Sequence, residues 1–87
     1  MKRFMVTLPG EERTALRKLL RGGSAAARVL MHAQVLLKAD RSADGPAMSD
    51  VAIAKAIDVG KNTVARLRRR YVEAGLEAAL HRLPSRR

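Results

Sequence analysis

The chain has 87 residues, 18 lysines and arginines against 8 acids, and no cysteine, which bounds it to one small, strongly basic domain of formal net charge +10. A disulfide framework, a thiolate metal site and a cysteine nucleophile are excluded, and no apolar run is long enough to span a membrane. So much positive charge implies a polyanionic partner, yet Phe4 and Tyr71 are the only aromatic residues available to stack unpaired bases, so duplex DNA fits better than single strands.

Met1-Lys2-Arg3 before Phe4-Met5-Val6 resembles the start of a signal peptide, but Pro9 and Glu11 end the apolar run far too early. Phe4, Val6 and Leu8 alternate with polar or flexible residues and predict a short extended arm that packs onto helices. Pro9 suits a first helical turn, and Glu11 and Glu12 favour its N-terminus. Ala15, Leu16, Leu19 and Leu20 make one apolar face, and Gly22-Gly23 stops the helix. Ser24 is expected to cap a second helix. There Ala26, Val29, Leu30, Ala33, Leu36 and Leu37 keep the helical period to about Ala39 and form the spine of the core. His32 lies beside that stripe and reads as a boundary residue, since no second ligand stands at metal-binding spacing. Asp40 to Ala47 is a loop by composition.

The stretch Met48 to Tyr71 predicts two short helices joined by a tight turn. Ser49 can cap the first, with Asp50 at its positive end. Ile53, Ala54 and Ile57 share one face. Asp58-Val59-Gly60 breaks the period; Asp58 tolerates a left-handed backbone and Gly60 can open the next helix. From Lys61, residues Val64, Leu67 and Tyr71 line one side, and Asn62, Ala65, Arg66 and Arg69 line another. Lys61, Arg66, Arg68, Arg69 and Arg70 come without an acid among them, whereas a merely soluble face would mix signs. This is a helix-turn-helix pattern, in which one helix braces and the next presents its polar face to a DNA groove. The second helix continues to Ala74, where Gly75 stops it. Leu76, Ala79 and Leu80 predict one more short turn folding back on the core. His81 to Arg87 reads as a basic flexible tail beyond a domain of residues 1–80.

Catalytic chemistry is not legible. The eight acids fall at caps, loops and helix ends, and there is no nucleophile–base arrangement and no phosphate-cradling glycine loop. The expectation is a chain that is not an enzyme, with no cofactor, no metal and no small-molecule substrate.

Several stretches together resemble a known family. VTLPGEERTALRKLL and AAARVLMHAQVLLKAD, with Arg28 and Val35-Leu36-Leu37 in place, match its first two helices. MSDVAIAKAIDVGKNTVARLRRRYVEAGLEAAL matches its helix-turn-helix block, most specifically over Tyr71-Val72-Glu73-Ala74-Gly75-Leu76. The family is the N-terminal DNA-binding region of mariner-superfamily bacterial insertion-sequence transposases, the IS-six-thirty group. It usually has Gly where Asp58 stands and Ser where Gly60 stands; losing the Ser cap costs a few tenths of a kcal/mol. The resemblance implies an all-α, homeodomain-like or paired-like bundle of four to five helices. The family's catalytic Asp-Asp-Glu domain has no counterpart here. The chain is therefore expected to be a transposase portion separate from that domain, or a free-standing regulator.

The function expected is sequence-specific duplex DNA binding, as the module that recognises an element's terminal inverted repeats. The alternative is a stand-alone transcriptional regulator or transposition repressor. Lys61, Asn62 and Arg66 are the candidates for base contacts, and Thr63 and Arg69 for a base or a phosphate. Arg68 and Arg70 flank that face as candidate phosphate contacts, with Lys55 and Ser49. Beyond DNA, the expected partner is a second copy or a full-length transposase. The expected location is the cytoplasm, on the bacterial nucleoid, without a membrane.

Overall fold

The computed structural model describes residues 5–42 and 45–81. Five helices follow in order: α1 (Gly10–Gly22), α2 (Ala27–Ala39), α3 (Asp50–Ile57), α4 (Lys61–Ala74) and α5 (Leu76–His81). The expected all-α architecture holds. Phe4 and most of the basic tail lie outside the described residues.

Pro9 precedes α1 rather than opening it, and its extended backbone (φ −60°, ψ 156°) turns the chain into the helix. Gly23, at φ 66°, ends α1 and donates its N–H to the Leu19 carbonyl at 3.2 Å. Such a left-handed stop suits a residue without a Cβ. Leu16 is fully buried, Leu19 and Leu20 pack at the core's edge, and Ala15, expected inside, is exposed.

Helix α2 begins two residues later than Ser24 suggests, after Ala26, with no side-chain cap. Its buried set is His32, Ala33, Val35, Leu36 and Ala39, while Val29, Leu30 and Leu37 are half-buried and Ala26 is exposed. The expected stripe is thus turned partly round the helix axis. The cause is that α2 packs against each of the other four helices, so it is enclosed on several sides and its sequence need not show one apolar face. His32 is not a boundary residue. It is 5 % exposed, and its Nδ1 donates to the Leu80 carbonyl at 3.0 Å. That bond satisfies a carbonyl of α5, a helix of six residues too short to hold itself.

The arm before α1 buries Val6 and Leu8, as alternation predicts. It is fixed by the loop after α2. Asp40, 1 % exposed, accepts the Leu8 N–H at 3.0 Å, the Ser42 N–H at 3.0 Å, the Ser42 hydroxyl at 2.9 Å and the Arg13 Nε–H at 3.1 Å. Arg13 also donates to the Leu8 carbonyl and to Ser42 Oγ. Burial opposes ionisation of this carboxyl, but the four donors outweigh it and hold the Asp40 pKa below its ordinary 3.8. The Asp40 carbonyl in turn accepts the Ala47 N–H at 2.9 Å. Gly45 lies so close that a Cβ there would fall on that carbonyl. Across α4, the Tyr71 hydroxyl donates to Glu12 Oε1 at 2.6 Å; the Thr7 carbonyl at 3.4 Å is the weaker neighbour for its one proton.

Candidate nucleic-acid interface

Ser49, extended at φ −74°, ψ 164°, accepts the Ala52 N–H on its Oγ at 3.1 Å and so caps α3. Asp50 follows in the first turn, where the helix dipole favours an acid. At the other end Asp58 takes the left-handed conformation (φ 64°, ψ 50°). Its N–H and that of Val59 both bond to the Ala54 carbonyl, the second at 3.0 Å. This 6→1 closure stops α3 within one residue and lets Gly60, back in extended geometry, open α4. Val59 packs against the core from the turn.

The closure sets the register of α4. Val64 and Leu67 enter the core formed with Ile53 and Leu36, and Tyr71 packs at its edge. Each large aliphatic side chain buried there contributes about 1.5–3 kcal/mol. With that side fixed, Lys61, Asn62, Ala65, Arg66 and Arg69 are all exposed. The outward row expected from the spacing is the outward row found. Arg69 carries an exposed ion pair with Glu73, one turn on, at 3.2 Å; such a pair is worth well under about 1 kcal/mol. Thr63 and Arg70 sit half-buried on the side of α4 toward α2. Lys55 is exposed on α3, and Ser49 is exposed although its hydroxyl serves as the cap.

Arg68 departs from expectation. Instead of flanking the outward row it is 9 % exposed, and its Nη1 lies 3.3 Å from Asp50 Oδ1. It braces α4 to the start of α3, and its charge is spent inside the fold. The reason is angular: one residue beyond Leu67, it falls toward the crossing of the two helices.

One basic residue gains a place that spacing within α4 could not reveal. Arg28, at the start of α2, lines an open cleft of about 190 Å³ together with Met31, His32, Thr63, Arg66, Leu67 and Arg70. The only hint in the sequence is a cation in a first helical turn that contains no acid.

A family profile for the homeodomain-like domain matches residues 24–80. The chain belongs to that family. The homeodomain-like domain runs from just before α2 to α5, with the helix-turn-helix of α3 and α4 inside it, and α1 and the arm lie outside the match. No curated protein matches the chain, and no solved structure does. The homeodomain-like helix-turn-helix is a DNA-binding fold, and DNA is the partner its architecture indicates. Among the described residues no group of three metal-ligating side chains gathers, and no helix is long and apolar enough to cross a membrane.

Proposed function

We propose that the domain reads a specific sequence in duplex DNA by placing α4 in the major groove, as the terminal-inverted-repeat recognition module of an insertion-sequence transposase of the mariner superfamily. The observation that carries the reading is α4 itself. One side is bedded in the core through Val64 and Leu67, and the opposite row is exposed, basic and polar. A helix of 14 residues is about 21 Å long, and the major groove, about 12 Å wide, admits it. The transposase assignment is supported by the run from Ser49-Asp50 to Gly75-Leu76 and by the occurrence of homeodomain-like domains in transposase N-terminal regions.

Lys61, Asn62 and Arg66 contact bases. Asn62 suits an adenine and Arg66 a guanine, each pair worth about 1–3 kcal/mol of discrimination. Thr63 and Arg69 contact a base or the adjoining phosphates; Arg70, Lys55 and Ser49 contact phosphates. Arg68 takes no part. The chain supplies recognition without catalysis and works in the bacterial cytoplasm, with strand cleavage left to a separate catalytic domain.

The test is selection from a random duplex library, followed by binding of the selected and a scrambled duplex. Asn62→Ala and Arg66→Ala should weaken the selected duplex by roughly tenfold each and the scrambled one far less, the ratio expected for lost base contacts. A library that yields no enriched sequence, or equal losses on both duplexes, overturns sequence-specific reading.

A further inference from the structure

We infer that the cleft between α2 and α4 is a phosphate clasp, in which Arg28 and Arg70 grip one phosphate of the DNA backbone from opposite walls while α4 lies in the adjoining groove. The assignment of the phosphate to DNA rests on the function proposed above; the clasp itself rests on the cleft.

Three arginines from two helices line this opening: Arg28 from α2, and Arg66 and Arg70 from α4, and Thr63 of α4 lines it with them. Among the described residues no carboxylate pairs with any of the three. Arg13 is tied to Asp40, Arg68 to Asp50 and Arg69 to Glu73. Arg17, Arg21 and Arg41 also have no ion pair among the described residues, so what sets the cleft apart is that it gathers three unpaired guanidinium groups in one opening.

The setting of Arg28 sharpens the point. It is the second residue of α2, at the positive end of the helix dipole, where a cation is unfavourable. No acid occupies that first turn, and Ala26 supplies no side-chain cap. An anion in the cleft would balance both the guanidinium and the uncapped helix end. Guanidinium forks match phosphate oxygens in pairs, and a hydroxyl adds a further donor. The cleft's volume of about 190 Å³ leaves room for a phosphate with some of its water, at about 30 Å³ per water.

Position favours a backbone phosphate over a stray anion. Thr63 and Arg70 each follow a residue of the outward row, Asn62 and Arg69, so they point about 100° away from it on a helix of 3.6 residues per turn. When one row faces the base edges, the row a third of a turn away faces the wall of the groove, which is phosphate. Arg66 stands at the seam between the row and the cleft. The walls of the cleft then span one strand's backbone, with α2 closing over it from outside.

The experiment is fluorescence anisotropy of the full chain with a labelled random-sequence duplex across a salt series, for the wild type, Arg28→Gln and Arg70→Gln. Arg21→Gln, at an exposed position near the end of α1, is the control. A parallel NMR titration follows the Arg28 and Arg70 side chains with inorganic phosphate alone. Each cleft variant should lower affinity several-fold, equally on any duplex, and flatten the salt slope by about 0.9, the value of one lost phosphate contact, while the control stays at wild type. Unchanged slopes in both variants, with no response to inorganic phosphate, overturn the clasp. A duplex slope unaffected by the variants, alongside saturable phosphate shifts, upholds the clasp with free phosphate as its occupant and removes DNA from it. Wild-type protein that ignores duplex altogether defeats the proposed function, and the phosphate titration then decides the clasp separately.

Discussion

Arg68 reaches from the middle of α4 to Asp50 at the start of α3, Nη1 to Oδ1 at 3.3 Å. The pair spans the two helices of the helix-turn-helix and fixes their crossing. Its partners are unequal: the Arg68 side chain is 11 % exposed and that of Asp50 32 %, so the arginine contributes buried stem as well as charge. Arg68→Ala should therefore cost about 1–2 kcal/mol of stability, between the values for a surface pair and a buried one. Arg69→Ala, in an exposed pair, should stay within about 0.5 kcal/mol. Urea denaturation followed by circular dichroism separates the two. In DNA binding the order should reverse, with Arg69→Ala the more harmful once both proteins are fully folded.

Asp40→Asn tests the junction of arm, loop and α1. The amide keeps the shape but removes the charge that Arg13 faces and replaces an acceptor with a donor. The loss should be about 3 kcal/mol, the range for breaking a largely buried ion pair. The pH dependence has a definite sign. Because the folded carboxyl has the lower pKa, its contribution is complete above the ordinary value of 3.8 and is lost as pH falls through the folded value. Wild-type stability should drop on acidification below about pH 4, and that part of the drop should vanish in Asp40→Asn.

Tyr71 titrates with the opposite sign. Burial raises the pKa of its phenol, and the hydrogen bond to Glu12 and that carboxylate's charge raise it further. The neutral phenol therefore contributes in full below its ordinary value of 10.0 and ceases to contribute as pH rises through the higher folded value. Tyr71→Phe should cost about 1–2 kcal/mol at neutral pH, the scale of a hydrogen bond to a charged group. The difference between mutant and wild type should shrink in strong alkali. Melting temperatures measured across neutral and alkaline buffers check it.

The turn can be improved. Gly60 sits at φ −73°, and a Cβ there would meet only Thr63 Oγ1, at 3.8 Å. Gly60→Ser should add a cap for α4 and reduce the freedom of the unfolded chain, for a gain of about 0.5 kcal/mol. Asp58→Gly should relieve a left-handed residue that carries a Cβ and remove an acid from the C-terminal end of α3, for a similar gain of about 0.5 kcal/mol. Thermal unfolding of each single variant measures both.

What could be read from the sequence was whatever is encoded locally. Ser49 as cap, Asp58 in the left-handed region, α4 from Lys61 to Ala74 and the outward row of Asn62, Ala65, Arg66 and Arg69 all follow from spacing and backbone preference. Arg68 was misplaced because a single helix's period cannot say where a second helix crosses it. Asp40, given only a loop role, is a buried hub whose partners include Leu8 and Arg13, far away in the chain. The burial of His32 and the cleft position of Arg28 likewise depend on how α2 meets α4 and α5. No sequence periodicity records that.

The Asp40 junction bears on where the domain can be cut. The homeodomain-like match begins at residue 24, yet two of the groups that donate to the Asp40 carboxylate, the Leu8 amide and the Arg13 guanidinium, precede it. A protein trimmed to the matched segment would keep the carboxylate and lose its principal cation, along with the hydrophobic cover of Val6, Leu8 and Leu16. Trimming to the matched segment should therefore destabilise the fold, and α1 with its preceding arm is expected to be needed for the helix-turn-helix to keep its shape.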